Sequence, residues 1–265
     1  MTLIPHQDLD RWEFVDLHSA TIRDFLEWSA SCEATPGWSM RWRARPDLEE
    51  ARQMIPLFEE PWWAVVVYSC FNSMVGTRAA APGFRSPVRI DGIEVAISLL
   101  DLPRGAVQMH RIQPGHIGAT DALGAACRMA DSFHKILYEG LGFDDRYAGL
   151  RALNAPSWSR TTCYDLLLRS GAIGVAGGAL YEPEYAYLGD STGPGRGFTA
   201  IWGVPIDHAN ADACEKLLGW WSTQWEAVSL RVRAAAHPEP AYGPADFENA
   251  LCLYQDELRR RSRRA

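Results

Sequence analysis

The amino-acid sequence predicts an α/β fold, α+β in stricter usage, with a mixed, mostly antiparallel sheet and helices on both faces. Three observations support this prediction. Residues 63–68 (WAVVVY) form a β-branched run that favours a strand. Asp91-Gly92 is typical of a two-residue hairpin turn. Residues 106–138 have the pattern of a strand, a glycine-containing turn and a helix.

Helices are predicted before the sheet. The apolar spacing over residues 18–28 indicates one helix. Asp47, followed three residues later by Glu50, has the spacing of a capping box and predicts a second helix that begins there. The predicted core face of this second helix carries Leu48, Ala51, Met54 and Ile55.

The central strands are predicted to form a meander. Residues 71–87, rich in Gly, Pro and Ala, are expected to be a loop. Residues 94–100 follow the Asp-Gly turn as the next strand, and a turn at 103–105 leads into a strand at 106–112.

The remaining elements alternate between helices and strands. Thr120 is the expected N-cap of a helix over 120–138. Gly189 to Gly193 match the G-x-S-x-G pattern of serine hydrolases, but the following Pro-Gly-Arg-Gly argues against the helix that this motif needs and favours a hairpin tip. The other expected elements are strand 147–153, helix 158–170 ended by Gly171, strands 179–188 and 198–205, and helices 211–235 and 244–260.

Short motifs occur along this predicted order of elements. They are Asp91-Gly92, Ile112-Gln113-Pro114, Gly115 with Gly118 or Ala119, Thr120-Asp121-Ala122, Asn154-x-x-Ser157 and Ser170-Gly171-Ala172-Ile173. Over roughly residues 9–206 their order resembles the GCN5-related N-acetyltransferase superfamily, in particular its ribosomal-protein alanine acetyltransferase branch.

The resemblance implies transfer of an acetyl or other acyl group from coenzyme A to an amine on a small molecule or peptide. Acetyl-CoA would be a co-substrate, and no metal would be needed. The resemblance assigns the cofactor contacts to Arg111, Ile112, Gly115, His116, Gly118, Ala119, Thr120, Asn154 and Ser157. The histidine side chain in general has a pKa near neutrality, so His110, on a predicted strand, is the candidate base; a packed strand histidine is the alternative.

Two departures from the family pattern keep other functions open. Pro114 has no N–H to donate, and the side chain of Ile117 disfavours positive φ. One alternative is a binding or regulatory module of the same fold that has lost acetyl-CoA. The other is a transferase that uses another donor, such as an acyl carrier protein or an aminoacyl-tRNA.

Composition indicates which partners the protein can have and where in the cell it is expected. The net charge of −7 argues against a general nucleic-acid binder. The six cysteines form no C-x-x-C pair, and the sequence shows neither a signal peptide nor a membrane-length apolar run, so we expect a cytoplasmic protein without membrane association. We expect an acyltransferase-like domain at residues 1–206 and a helical extension with an arginine-rich tail at 207–265.

Overall fold

The structure, a computed structural model, divides the chain into two compact units. The central unit is Arg45–Glu182, and the terminal unit combines Met1–Ala44 with Pro183–Ala265. The structure describes residues 3–5, 14–16, 20–33, 42, 45–107, 116–175, 183, 185–188, 193–203 and 243–264.

The described elements are two short strands and a series of α-helices. In chain order they are β1 (Leu3–Pro5), β2 (Phe14–Asp16), α1 (Ala20–Glu33), α2 (Pro46–Met54), α3 (Pro61–Phe71), α4 (Met74–Ala80), α5 (Ile93–Ser98), α6 (His116–Arg128), α7 (Ala130–Glu139), α8 (Phe143–Ala152), α9 (Arg160–Ile173), α10 (Gly193–Trp202) and α11 (Pro244–Ser262). Short 3₁₀ turns lie at Ile55–Leu57 and Ile90–Gly92.

The predicted sheet-based fold is wrong. In the described ranges the strands are β1 and β2, three residues each, which form one antiparallel pair with Ile4 opposite Val15. The central unit is built from helices, with α3 packed against α2, α4, α6 and α9. The expectation of an acyltransferase-like sheet with helices on both faces is therefore corrected to a helical architecture.

The predicted strand at 63–68 is the middle of helix α3. Pro61 occupies the first turn, and Asn72 ends the helix in a left-handed conformation with φ 49°. Every residue from Trp62 to Phe71 is buried. A helix that is apolar all round suits the centre of a bundle, so packing on every side outweighs the strand preference of the three valines.

The Asp91-Gly92 hairpin is also absent. Gly92 has φ −100°, so the positive φ of a type I′ turn is not used, and the chain enters α5 directly. Ile93 is buried at the start of this helix. The predicted strand at 94–100 is wrong for this reason.

Three further predictions fail in the central unit. The predicted loop at 71–87 contains α4, and the predicted strand at 147–153 falls in α8, whose first turn carries Asp144 and Asp145 as favourable negative charges. The single helix predicted at 120–138 is instead α6 and α7, which are separated at Met129.

The helix predictions at 47–55 and 158–170 are confirmed with shifted ends. Arg45, not Asp47, is the N-cap residue of α2, so the predicted capping box is wrong, but Leu48, Ala51 and Met54 are buried as expected. Helix α9 begins after Ser159, whose hydroxyl accepts from the Thr162 N–H. It ends at Gly174 with φ 79° and not at Gly171.

Helix α10 in the terminal unit corrects two more expectations. Gly193 to Gly197 open this helix, although the sequence favoured a hairpin tip there, and residues 198–202 are helical where a strand was expected. Helix α11 confirms the predicted C-terminal helix. Predicted strand 106–112 falls mostly, and helix 211–235 entirely, outside the described residues. Predicted strand 179–188 is half described, and residues 183 and 185–188 form no strand.

Gly197 sets the close approach of α10 to α11. A Cβ at this position would collide with the backbone carbonyl of Leu251. Tyr254, farther along α11, packs its ring against Phe25 and Trp28 of α1, with ring centroids 4.8 and 5.2 Å apart. The missing side chain therefore lets one helix of this unit lie directly on the backbone of another.

Replacing Gly197 by alanine is expected to lower the free energy of unfolding by about 1–3 kcal/mol, because overpacking forces α10 away from α11. Urea denaturation followed by circular dichroism measures the change. Gly142→Ala is the matched control, since a Cβ at Gly142 meets nothing within 4 Å. Equal stability of the two variants would contradict the contact between α10 and α11.

Candidate anion-binding pocket

Four residues of the predicted acyl-CoA site lie outside the described part of the chain. They are the candidate base His110 and the cofactor residues Arg111, Ile112 and Gly115. Their predicted roles stay predictions.

The predicted phosphate loop continues into the first turn of α6, which begins at His116. Gly118 and Ala119 are buried there, and Ile117 is 76% exposed. Thr120 is not the N-cap: it lies inside the helix, and its hydroxyl donates to the carbonyl of Ile117 at 2.9 Å. Residues 116–120 therefore form the first turn of α6, and the cofactor contacts predicted for His116, Gly118, Ala119 and Thr120 stay predictions.

Asn154 and Ser157 lie in the connection between α8 and α9. Both adopt left-handed backbone conformations, with φ 47° and 62°. The neighbouring Trp158 donates its indole N–H to the carbonyl of Ala122 in α6 at 2.9 Å. The structure thus ties the connection that carries this predicted pair to the helix that carries Gly118, Ala119 and Thr120.

A buried polar network joins α2, α3 and α9. Arg169 of α9 is 3% exposed and donates to the Asp47 carboxylate at 2.6 Å. The same guanidinium donates to the Ser69 hydroxyl at 3.2 Å and to the side-chain oxygen of Asn72. Arg45 adds a second positive charge, 2.7 Å from Asp47. The network thus connects three helices through one arginine.

Burial and the charges in this network shift the pKa values of two of its members, Asp47 and Tyr68. Burial alone would raise the pKa of Asp47, but Arg169 and Arg45 outweigh it and hold the pKa below its ordinary value. Burial, together with the hydrogen bond to Glu50 at 2.7 Å, raises the pKa of Tyr68. Because the Arg169 guanidinium is occupied by partners, we interpret the network as a structural element of the central unit.

A second pair of arginines lies in a different environment. A depression of about 350 Å³ opens between the end of α2 and the end of α4. Pro56 and Leu57 line it from the 3₁₀ turn after α2. Its other lining residues are Arg78, Ala81, Pro82 and Arg85, on α4 and the turn that follows it.

Arg78 and Arg85 are both exposed. Within the described ranges neither guanidinium forms an ion pair or a side-chain hydrogen bond. This differs from Arg45 and Arg169, whose charges are matched by carboxylates. The depression therefore brings together two positive charges with unused hydrogen-bond donors.

Hydrogen bonds fix the backbone that carries the second arginine. The Glu59 N–H donates to the carbonyl of Arg85 at 2.9 Å, and the indole N–H of buried Trp63 donates to the carbonyl of Phe84 at 2.8 Å. These bonds attach the turn after α4 to the segment after α2. The turn that carries Arg85 is thus held by one main-chain and one side-chain hydrogen bond.

Helix α4, which carries Arg78, is anchored at its other end. The Ser73 hydroxyl donates to the carbonyl of Gly105 at 3.1 Å. A Cβ at Gly76 would collide with the backbone carbonyl of Ala106, so this helix packs directly on the chain there. The two arginines therefore project from a supported framework.

The sequence prediction missed Arg78 and Arg85 because it assigned residues 71–87 to a loop. A signal was present: residues 61–90 contain three arginines and neither Asp nor Glu, in a chain with a net charge of −7. A local excess of positive charge in an acidic protein indicates an anion-binding surface.

Neither a metal-binding group nor a membrane-spanning helix occurs in the described ranges. No group of three or more His, Cys, Asp or Glu side chains there has an arrangement that could hold a metal ion. None of the described helices is long and apolar enough to cross a membrane.

Comparisons with known proteins add no relative: no family model, no curated protein and no solved structure matches the chain.

Proposed function

We propose that this protein binds a small anionic ligand through Arg78 and Arg85. The observation that carries the proposal is that both guanidiniums line one depression and neither has an acidic partner in the described ranges. Arginine presents a planar set of donors that matches phosphate and carboxylate oxygens. An anion in the depression would supply the acceptors that the chain itself does not.

The local charge supports this proposal. Three arginines without an acidic residue over 61–90 make this segment positive, whereas the chain as a whole is negative. An anion approaching the depression meets no carboxylate from this segment. The positive charge of this segment therefore favours an anion at the depression.

The anchored framework supports binding as well. The carbonyls of Phe84 and Arg85 are already hydrogen-bonded to Trp63 and Glu59, so the turn needs little ordering when a ligand arrives. Preorganisation of this kind reduces the entropy lost on binding. The binding module considered from the sequence was one of the acyltransferase fold, and the anion-binding proposal does not depend on that fold.

Acyl transfer from acetyl-CoA to an amine stays a prediction, as do the alternative acyl donors. In the mechanism implied by the resemblance, the pantetheine arm pairs with a strand at Arg111 and Ile112, which lie outside the described residues. We also propose a cytoplasmic location, because Cys70, Cys127 and Cys163 are buried and form no disulfide.

Removing either arginine tests the anion site. Arg78→Ala and Arg85→Ala are each expected to weaken binding of inorganic phosphate roughly tenfold, because each removes charge-assisted hydrogen bonds. Isothermal titration calorimetry at fixed ionic strength measures the affinity. Arg104→Ala removes an exposed arginine from another part of the central unit and should leave the affinity unchanged.

Two results would overturn the proposal. One is phosphate affinity that is the same in both pocket variants as in the wild type. The other is protection of the wild-type protein against thermal unfolding by acetyl-CoA that persists in the Arg78→Ala/Arg85→Ala double variant, which would favour the acyltransferase prediction.

A further inference from the structure

The composition of the depression specifies the ligand more closely, on the basis of the anion site proposed above. We infer that the ligand is a small phosphate monoester whose apolar group lies against Pro56, Leu57, Ala81 and Pro82. The lining of the depression has two parts that lie side by side, namely a pair of guanidiniums and a wall without charged groups. A phosphate monoester with an aryl or alkyl substituent carries both matching parts.

Charge favours phosphate over carboxylate. A phosphate monoester carries a charge of about −1.5 to −2 near neutral pH and three acceptor oxygens. A carboxylate carries one charge and is satisfied by a single bidentate arginine. Arg78 and Arg85 together supply two positive charges and two sets of donors, with no described carboxylate to neutralise either. One phosphate group carries enough charge and enough acceptor oxygens for both.

The apolar wall favours a substituent on that phosphate. Leu57 is 37% exposed and lines the depression beside Pro56. Proline has no backbone N–H, so Pro56 and Pro82 add no main-chain donor to this wall. An apolar group placed there removes apolar surface from water on both sides of the contact.

Size is consistent with such a ligand. A volume of about 350 Å³ lies at the lower end of the range of roughly 300–1,000 Å³ that is typical of small-molecule sites. Inorganic phosphate fills only the part next to the guanidiniums. The remaining space adjoins the leucine and the prolines.

Calorimetric titration with a matched series of compounds tests this inference. The probes are inorganic phosphate, phenyl phosphate, benzoate and phenol, titrated into the wild-type chain at constant ionic strength. Phenyl phosphate is expected to bind roughly tenfold more tightly than inorganic phosphate, through burial of the ring. Benzoate should bind more weakly than phenyl phosphate, and phenol should not bind measurably.

A substitution in the wall separates the two parts of the site. Leu57→Asn keeps a similar side-chain volume. It is expected to weaken the binding of phenyl phosphate about threefold or more and to leave the affinity for inorganic phosphate unchanged. Leu99→Asn is the matched control, because Leu99 is also exposed but does not line the depression. It should change neither affinity.

The outcomes distinguish the two proposals. Equal affinity for phenyl phosphate and inorganic phosphate, with dependence on both arginines retained, would overturn the inference and leave the anion site standing. Benzoate binding as tightly as phenyl phosphate would do the same. Loss of the arginine dependence for every anion would overturn both.

Discussion

Replacing Arg169 by methionine is expected to lower the free energy of unfolding of the central unit by about 3 kcal/mol. The guanidinium is buried and donates to Asp47, Ser69 and Asn72. Methionine fills a similar volume. It removes one of the positive charges beside the Asp47 carboxylate, and it removes the hydrogen-bond donor to Ser69 and Asn72. Removing one partner of a buried ion pair typically costs about 3–5 kcal/mol. Since Arg45 still contacts Asp47 at 2.7 Å, we expect the lower end of that range.

Urea denaturation monitored by circular dichroism measures this effect, with Arg52→Met as the matched control. Arg52 lies on α2 and is half exposed, and its ion pair with Glu49 is long at 3.7 Å. Exposed pairs of this kind contribute about 1 kcal/mol or less. Similar losses in the two variants would contradict the structural role assigned to the Arg169 network.

The pH dependence of the Arg169 variant provides a further check. Because the pKa of Asp47 is lowered in the folded protein, its contribution to stability is present above the unfolded pKa and is lost as pH falls through the folded pKa. In Arg169→Met, burial still raises the pKa of the Asp47 carboxyl, but one of the positive charges that lowers this pKa is gone. The difference in stability between wild type and variant should therefore be largest at neutral pH and shrink in acid.

Replacing Trp63 by alanine is expected to lower the free energy of unfolding by about 3–5 kcal/mol. The side chain is fully buried in α3, and its removal leaves a large cavity. Its indole N–H also donates to the carbonyl of Phe84, which fixes the turn next to Arg85. The loss should therefore appear both in the stability of the central unit and in the affinity for phosphate.

Trp63→Phe separates these contributions, because it keeps much of the volume and removes the hydrogen bond. It is expected to lower the free energy of unfolding by about 1–3 kcal/mol through an unsatisfied buried carbonyl. Leu141→Ala, at an almost fully exposed side chain, should change the stability little. If Trp63→Phe is as stable as the wild type, the bond to Phe84 does not anchor the turn.

Helical periodicity predicted the elements in which one face is apolar and the other polar. Leu48, Ala51 and Met54 follow this pattern and are buried on α2 as expected. Helix α3 is surrounded by other helices, so its sequence has no polar face and its valines resemble a buried strand. The length of the apolar run in the sequence was the better indicator. It forms a helix of 11 residues, and buried strands are usually shorter.

Local turn signals were overridden by tertiary contacts. Asp91-Gly92 has the composition of a hairpin, yet burial of Ile93 places the following residues in a helix. Gly193 to Gly197 have the composition of a loop, yet the absence of a side chain at Gly197 allows close packing on α11. Contacts between residues about 50 positions apart are not encoded in a local pattern.

The sequence could predict that the candidate pocket binds a negative charge, but it could not predict which residues line the pocket. Residues 61–90 contain three arginines and no acidic residue, and this local charge indicates an anion. That Arg78 and Arg85 line the same depression as Pro56 and Leu57 depends on how α4 packs near α2. Because residues 71–87 were predicted to be a loop, nothing placed the two arginines together.

Nuclear magnetic resonance provides the most direct measurement of where an anion binds. Titration of the ¹⁵N-labelled protein with inorganic phosphate should produce saturable shifts at the amides of Arg78, Ala81 and Arg85, with Leu99 and Arg104 unchanged. Those shifts should disappear in the Arg78→Ala/Arg85→Ala double variant. Largest shifts at Gly118 and Ala119 instead, unaffected by the double substitution, would contradict the pocket and return the anion to the first turn of α6.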